Sequence, residues 1–397
     1  MKKIMILGAS ILQLPAILKA KEMGLQVIAV DMDRNAIGFN DADICLEIST
    51  LDIPKVVTAA KRFNIDGIMT LASDLPMRTV AAVAKELNII GINEDTALKA
   101  TNKAIMRECL KKNHVPIPTF FRAYTLEDYT NSLKKFENKC IVKPADNSGS
   151  RGVYLINDIK DKSMVKFAFE YSKKHSQSGE IVVEEYMEGP EVSVETISIG
   201  NEVHVIQITD KLTTGAPRFV EMGHSQPSSL DDNTKEQIKA ITKKAVKAIG
   251  MESGPSHTEI KVMKDGPKIV EIGARLGGDN ITTHLVPLST GVNMVEVSIR
   301  IALGEKPNLT KILNMGSAIR YFDTPKGTIK EISGVDEAKL IDGVKQISFV
   351  KNIGDQVGEI NNSSDRAGFV IAQEETAEYA VLVCNKVIET IDIEIEA

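Results

Sequence analysis

"HTEIKVMKDGPKIVEIGARLGGDN", His257 to Asn280, contains two alternating apolar/polar runs joined at Lys264-Asp265-Gly266. Alternation with period two marks a strand and "KDG" marks a turn, so the stretch predicts a β-hairpin. A turn centred on Asp265 sets Glu259 opposite Glu271 and His257 opposite Gly273. Thr258, Ile260, Val262, Val270 and Ile272 then share the apolar face that packs into a core. Two carboxylates directly opposed on a ladder have Cβ atoms about 4.5–5.5 Å apart and repel each other. A hard divalent cation such as Mg2+, which takes carboxylate oxygens and shares the rest with phosphates or water, would relieve that repulsion. The competing reading is a pair of solvated glutamates, or a register one step away. Arg275 follows, and its planar fork suits a phosphoryl group or a carboxylate. Taken alone it reads equally as a surface arginine in the Gly-rich turn of Gly277 and Gly278.

Three upstream stretches carry further chemistry. "KPADNSGSRGV", Lys143 to Val153, is too polar for a core. Gly149 and Gly152 give it backbone freedom to close over an anion, and Ser148, Ser150 and Arg151 add donors. The spacing of a Walker P-loop is absent, and a plain hairpin tip is the blander reading. Lys143, ending an apolar strand, needs a partner or a route to water. "IVVEEYMEGPEVSVET", Ile181 to Thr196, reads as strand, turn and strand, with Glu191, Ser193 and Glu195 on one face. Its backbone could read an adenine edge and Glu191 a ribose; otherwise these are strand-surface acids. "KLTTGAPRFVEMGHSQPS", Lys211 to Ser228, is rich in Gly, Pro and His, and places Arg218, Glu221 and His224 against the acceptor substrates unless it is an ordinary surface loop. His114, His175 and His204 have no such context and read as structural.

The remainder of the chain supplies the frame. The first ninety-odd residues alternate strand and helix: "KIMILG", a helix over "ASILQLPAILKAKEMG", "QVIAVDMD", "DADICLEI", a helix, "DGIMTLAS", a helix and "IIGI". This grammar predicts a parallel sheet covered by helices on both faces. Asp31 or Asp33 sits where a dinucleotide's ribose would be held, but "GASILQ" lacks the second and third glycines of that fingerprint. The lysines and apolar run of "MKKIMILG" imitate a secretory signal, yet Gly8 and the following amphipathic helix fit strand and helix better. Past about Pro307 no catalytic motif stands out. The strands past Pro307 suggest a β-rich C-terminal subdomain.

At 397 residues the chain predicts two or three domains. The composition, 43% hydrophobic and 26% charged with net charge −6, is that of a globular protein and argues against general nucleic-acid or anionic-membrane binding. No apolar run reaches the roughly 18–20 residues of a membrane span. The four cysteines, Cys45, Cys109, Cys140 and Cys384, are dispersed without a zinc or disulfide pattern, which fits a reducing cytoplasm.

Taken in order, Lys103 before "VPIP", "VKPADNSGSRGV" before "VEEYMEGPEVSVET", and "HTEIKV" before "VEIGARLGGD" resemble the ATP-grasp superfamily. The resemblance covers roughly residues 1 to 300 and is nearest to the carboxylate–amine ligases, including L-amino-acid-ligase-like and phosphoribosylglycinamide-synthetase-like members. It implies a Rossmann-like pre-ATP-grasp domain over residues 1–95, an ATP-grasp domain over 96–305 with a mobile lid at about 115–187, and the C-terminal subdomain over 306–397. It implies ATP and one or two Mg2+ ions as cofactors, small carboxylate and amine substrates, and a homodimer as a family-level expectation.

By the same resemblance Lys103 and Lys143 contact the α- and β-phosphates, and Ser148, Gly149, Ser150, Arg151 and Gly152 close over the β- and γ-phosphates. Glu184 accepts from the adenine amino group, with Tyr186 and Met187 completing the hinge and Glu191 on the ribose. Glu259 and Glu271 bind Mg2+, and Arg275 steadies the phosphoryl group or substrate carboxylate. Where many members carry Asn two residues after the second metal glutamate, this chain has Gly273, so that either the two glutamates suffice or Asp279 or Asn280 helps. His257 and Asp279 are also candidates for substrate contact. The implied reaction is ATP-driven amide formation through an acyl phosphate, releasing ADP and phosphate. A phosphoribosylglycinamide-synthetase-like or a bicarbonate-using (carboxylase- or carbamoyl-phosphate-synthase-like) reaction is the alternative within the class. An NAD-linked oxidoreductase or a non-catalytic ATP-binding regulator lies outside it.

Overall fold

The structure is a computed structural model and describes residues 1–396; Ala397, the last residue of the expected C-terminal subdomain, lies outside the described residues. The first sheet is parallel: β1 (Lys3–Leu7), β2 (Gln26–Asp31), β3 (Ile44–Glu47) and β4 (Gly67–Thr70) lie in the order β3-β2-β1-β4. Strand alternation sorts its side chains onto two helical layers. Met5, Leu7, Ile28 and Val30 pack against Val56 and Ala60 of α2 (Ile53–Phe63) and Val80 and Val83 of α3 (Met77–Leu87). Ile4, Ile6, Val27 and Ala29 meet Ala16, Ile17 and Ala20 of α1 (Leu14–Glu22). Each fully buried Val, Leu, Ile or Met contributes roughly 1.5–3 kcal/mol, so the sheet is held from both faces.

Two sequence expectations need correction here. "IIGI" forms no strand: a side chain at Gly91 would collide with Ala84, and the chain runs across α3 instead of joining the sheet. The first helix begins only at Leu14. Ser10 to Gln13 make a turn, in which Gln13 Nε2 donates to the Leu71 carbonyl at 2.6 Å and ties the end of β1 to the end of β4.

The next sheet comprises β5 (Phe120–Ala123), β6 (Cys140–Pro144), β7 (Tyr154–Ile156) and β8 (Ile181–Glu185), in the order β5-β8-β6-β7. Cys140, Val142, Val183 and Ile181 pack with Tyr129, Leu133 and Ala168 of two covering helices. Alternation leaves Ile141, Lys143, Val182 and Glu184 for the opposite face. The strip Lys143 to Val153 links β6 to β7 at the edge of this small unit.

The central sheet has eight strands, in the order β13 (Gly266–Gly273), β12 (Gly254–Met263), β9 (Glu191–Ile199), β10 (Glu202–Thr213), β11 (Glu221–Gln226), β14 (Gly316–Tyr321), β18 (Gly368–Glu374) and β16 (Val344–Phe349). The segment after residue 306 therefore does not stand apart. Three of its strands extend the central sheet, and only β15 (Gly327–Ser333), β17 (Gln356–Val357) and β19 (Asp392–Glu396) form a sheet of their own.

The hairpin β12–β13 pairs Glu259 with Glu271 and His257 with Gly273, as its sequence predicts. Nearer the turn the register changes: Lys261 faces Lys268 and Met263 faces Gly266, so the turn is the two-residue Lys264-Asp265. A bulge at Val270 reconciles the two registers. Ile269, instead of Val270, takes the buried position, and the Val270 carbonyl turns to accept from Arg107 Nη2 at 2.6 Å. Without that extra residue the acidic face and the core face would exchange.

Candidate functional site

The sheet β10-β9-β12-β13 lines up its side chains in rows. Ser193, Glu259 and Glu271 face one another in one row; Glu195, His257 and Gly273 form the next; Glu191 and Lys261 form the third. This face floors a cavity of about 940 Å³. Its walls come from every part of the chain: the strip Asn147 to Arg151, the turn at Ser10, the Ser73–Asp74 bend, and Asn361 to Ser364 near the C-terminus.

Each carboxylate on the floor is met by a cation. Lys211 on β10 places its ammonium 2.7 Å from Glu191, 3.0 Å from Glu259 and 3.4 Å from Glu221. Those three charges outweigh burial, raising the Lys211 pKa well above its ordinary value; Lys211 and His257 in turn hold Glu259 well below its own. Lys103 lies 2.7 Å from Glu271 and also donates to the Asn147 carbonyl at 2.6 Å. It starts a helix (Lys103–Lys112) that Asn102 caps by accepting from Ile105 N. Lys103 and Arg107, four residues apart, share one face of that helix, and both reach the site.

Arg107 is fully buried and grips Glu184, with Nε at 2.7 Å and Nη2 at 3.2 Å. Lys143 completes the cluster at 2.6 Å. Burial pushes Glu184 up, but Arg107 and Lys143 outweigh it and hold its pKa at about 2; the same burial lowers Lys143. Both Glu184 oxygens are thus engaged in the ion cluster, and the residue lines the cavity wall. Glu185, Tyr186 and Met187 line the cavity beside it.

The strip from Asn147 to Gly152 is rooted at its base and free at its tip. Asp146 accepts from Ser176 Oγ, Gln177 N and Ser178 N, and Asn147 Nδ2 donates to the His175 carbonyl. Gly149, Ser150 and Gly152 all have positive φ, and a Cβ on Gly149 would meet nothing within 4 Å. Successive residues with this backbone make a concave array of N–H groups that fits an anion.

Arg275 forks onto Asp74, Nε to Oδ1 at 2.8 Å and Nη2 to Oδ2 at 3.2 Å, joining the hairpin to the first domain. This pair accounts for Gly273. A Cβ there would stand 2.8 Å from Asp74 Oδ1 and 3.2 Å from the Arg275 guanidinium, so no longer side chain fits.

The substrate-contact candidates separate. Arg218 is exposed at the cavity edge, and Glu221 is half-buried against Lys211. His224 Nε2 lies 3.4 Å from Asp279, whose carboxylate is gripped by Arg366 at 2.8 and 2.9 Å. Arg366 also donates to the Glu221 carbonyl and lies 3.7 Å over the Tyr321 ring. His257 is buried on the floor, not among the acceptor candidates; its Nδ1 lies 2.5 Å from Glu195. Burial pushes His257 down, but Glu195 and Glu259 outweigh it and raise its pKa to about 9.

Lys211, Arg107, Asp74 and Arg366 were not singled out from the sequence, and Glu195 was placed on the strand face of Glu191 without a role of its own. Lys211 had one local signal, a lysine in an otherwise alternating strand.

Among the described residues no three His, Cys, Asp or Glu side chains converge as a self-sufficient metal cage. Two opposed glutamates do suit Mg2+, which is usually held by one or two carboxylates plus substrate phosphates.

Residues 136–283 match the ATP-grasp domain family, and residues 320–396 match the L-amino acid ligase C-terminal domain 2. The chain is 27% identical over 282 residues to the L-arginine-specific L-amino acid ligase of Bacillus subtilis, covering 70% of this chain and 67% of that one. It is 24% identical over 410 residues to a phosphoribosylamine–glycine ligase of Methanococcus maripaludis, covering 96% and 88%. The crystal structure of an L-amino acid ligase from Bacillus licheniformis superposes with a TM-score of 0.85 at 25% identity, over 100% of this chain and 99% of that one. The chain thus carries an ATP-grasp domain followed by an L-amino acid ligase C-terminal domain, and its relatives and structural neighbours are ligases that form carbon–nitrogen bonds.

Proposed function

We propose that the protein joins the carboxylate of one amino acid to the amine of a second small amino compound, using ATP and releasing ADP and phosphate. The carboxylate oxygen attacks the γ-phosphorus, the bond to the β-phosphate oxygen breaks, and an acyl phosphate forms. The amine then attacks the acyl carbon, loses a proton and expels phosphate. Such reactions depend on positioning and on neutralising developing charge.

In this reading the adenine lies against Glu185 to Met187, with the ribose near Glu191. Lys103 and Lys143 hold the α- and β-phosphates, and Lys211 the terminal phosphate. Glu259 and Glu271 would hold Mg2+, which would supply positive charge to offset that developing on the phosphate oxygens. The backbone from Ser148 to Gly152 closes over them and excludes water from the acyl phosphate. Arg275, held by Asp74, stands at the junction where a substrate carboxylate would approach. Arg218, Glu221, His224 and the Asn361–Ser364 wall surround the acceptor.

The observation that carries this reading is that the Glu259–Glu271 pair and the Ser148–Arg151 strip line one cavity. An amino-acid acceptor is favoured over a sugar phosphate by the L-amino acid ligase C-terminal domain matched over residues 320–396. A phosphate-release assay on amino acids taken pairwise, with bicarbonate and 5-phosphoribosylamine plus glycine as further arms, tests it. Phosphate release that needs both partners and is lost in Glu271→Gln supports the reading. No release with any amino-acid pair, or release only with bicarbonate or phosphoribosylamine, overturns it.

A further inference from the structure

Glu195 is a fully buried carboxylate for which the proposed chemistry has no direct use. Oε1 lies 2.5 Å from His257 Nδ1, while Oε2 is buried with no partner. Burying a carboxylate is costly unless it is paired with good geometry, so this one is retained for what it does to His257. It fixes which nitrogen faces it and the plane of the ring, and the other nitrogen, Nε2, is thereby aimed at Glu259 Oε1, 3.6 Å away.

Glu259 has few other fixed neighbours. Ser193, opposite it on β9, is buried, and its hydroxyl makes no hydrogen bond. Among the described residues, Lys211 and His257 are the cationic side chains within 4 Å of it. Lys211 also serves Glu191 and Glu221, so phosphate oxygens entering the cavity compete for it. Once it turns toward them, His257 is what continues to hold Glu259. The chain keeps space for the pair: a Cβ at Gly277 would stand 2.7 Å from His257 Nδ1 and 3.0 Å from Glu195 Oε2.

We infer that Glu195 and His257 are positioning residues for the cation site, a carboxylate–imidazole relay that holds Glu259 in its metal-binding orientation when Lys211 is drawn onto the nucleotide. The inference rests on the functional reading above, in that it takes Glu259 as a cation ligand. Outer partners of this kind typically change metal affinity by roughly 10–100-fold when removed.

The test is Mn2+ affinity, followed by electron paramagnetic resonance in the presence of ADP, with ADP affinity in EDTA as the control. His257→Gln sets an amide at the position of Nε2 and keeps the contact to Glu259. His257→Asn sets it at Nδ1 and keeps only the contact to Glu195. The expected order of Mn2+ affinity is wild type, then Gln, with Asn and Glu195→Gln weaker by roughly 10–100-fold and ADP affinity in EDTA unchanged. Should Glu195→Gln fail to fold, the two His257 variants decide the matter. Unchanged Mn2+ affinity across them, or Asn binding better than Gln, would overturn the inference, since a role confined to the hydrogen bond with Glu195 favours Asn. Absence of Mn2+ uptake by the wild-type chain with ADP would overturn the functional reading and this inference together; wild-type uptake with indifferent variants overturns this inference alone.

Discussion

Lys211 Nζ sits 3.0 Å from Glu259 Oε1. The same ammonium neutralises Glu191 and Glu221, so the floor of the cavity is internally compensated before any nucleotide arrives. Lys211→Met should leave Glu221 without a counter-charge, Glu191 with Lys261 alone and Glu259 with His257 alone. Removing one partner of a buried ionic cluster costs about 3–5 kcal/mol, and Mg2+ should restore part of that loss in the variant but not in the wild type. Thermal unfolding with and without Mg2+ measures this; a melting point equally indifferent to Mg2+ in both proteins would contradict it.

The Glu184 cluster predicts an acid limb in stability. A carboxyl held at about 2 in the folded chain, against an ordinary value near 4.5, contributes stability that is fully present above pH 4.5 and is lost as pH falls toward 2. Glu184→Gln should therefore be less stable than wild type at neutral pH, with Arg107 and Lys143 left unpaired, and the gap should narrow on acidification. Urea unfolding midpoints from pH 7 down to pH 3 check the sign.

Asp74 belongs to the first domain yet orients Arg275 beside the hairpin. Asp74→Asn should lower kcat by roughly tenfold or more, as expected when a reacting arrangement is loosened, with little change in nucleotide affinity. Gly273→Ala should act in the same direction, because its Cβ would enter the space of that ion pair. Steady-state kinetics beside calorimetric nucleotide binding separates the two quantities.

Arg366 reaches into the cavity wall from the C-terminal segment, clamping Asp279 and the Glu221 carbonyl. Arg366→Lys keeps the charge but not the planar fork, so it should not restore what Arg366→Met removes. Both should raise KM for the acceptor more than KM for ATP, and both should destabilise the fold by about 3–5 kcal/mol through the stranded Asp279. Equal effects on the two KM values would place Arg366 outside acceptor recognition.

How much of this was legible in the sequence depended on whether its cause was local. The hairpin announced itself because period-two alternation and a turn signal lie within twenty residues, and that sufficed to oppose Glu259 and Glu271. The bulge at Val270 did not, because its cause is Arg107, which lies far away in sequence and draws the Val270 carbonyl round. The Glu184 ion cluster was not visible for the same reason: its partners are a helix residue and a neighbouring strand residue. Arg366 gave no signal at all, since the polar run around it reads as a surface loop until β14 and β18 dock on the central sheet. Gly273 looked like a missing ligand in sequence; in space it is room kept for Asp74 and Arg275.

The central claim is that a carboxylate is activated by phosphorylation in this cavity. With a reactive amino-acid pair identified, the donor is supplied with 18O in its carboxylate and the released phosphate is analysed by mass spectrometry. One 18O per phosphate, appearing together with ADP, is the predicted result. Unlabelled phosphate, or AMP with pyrophosphate in place of ADP, would contradict it.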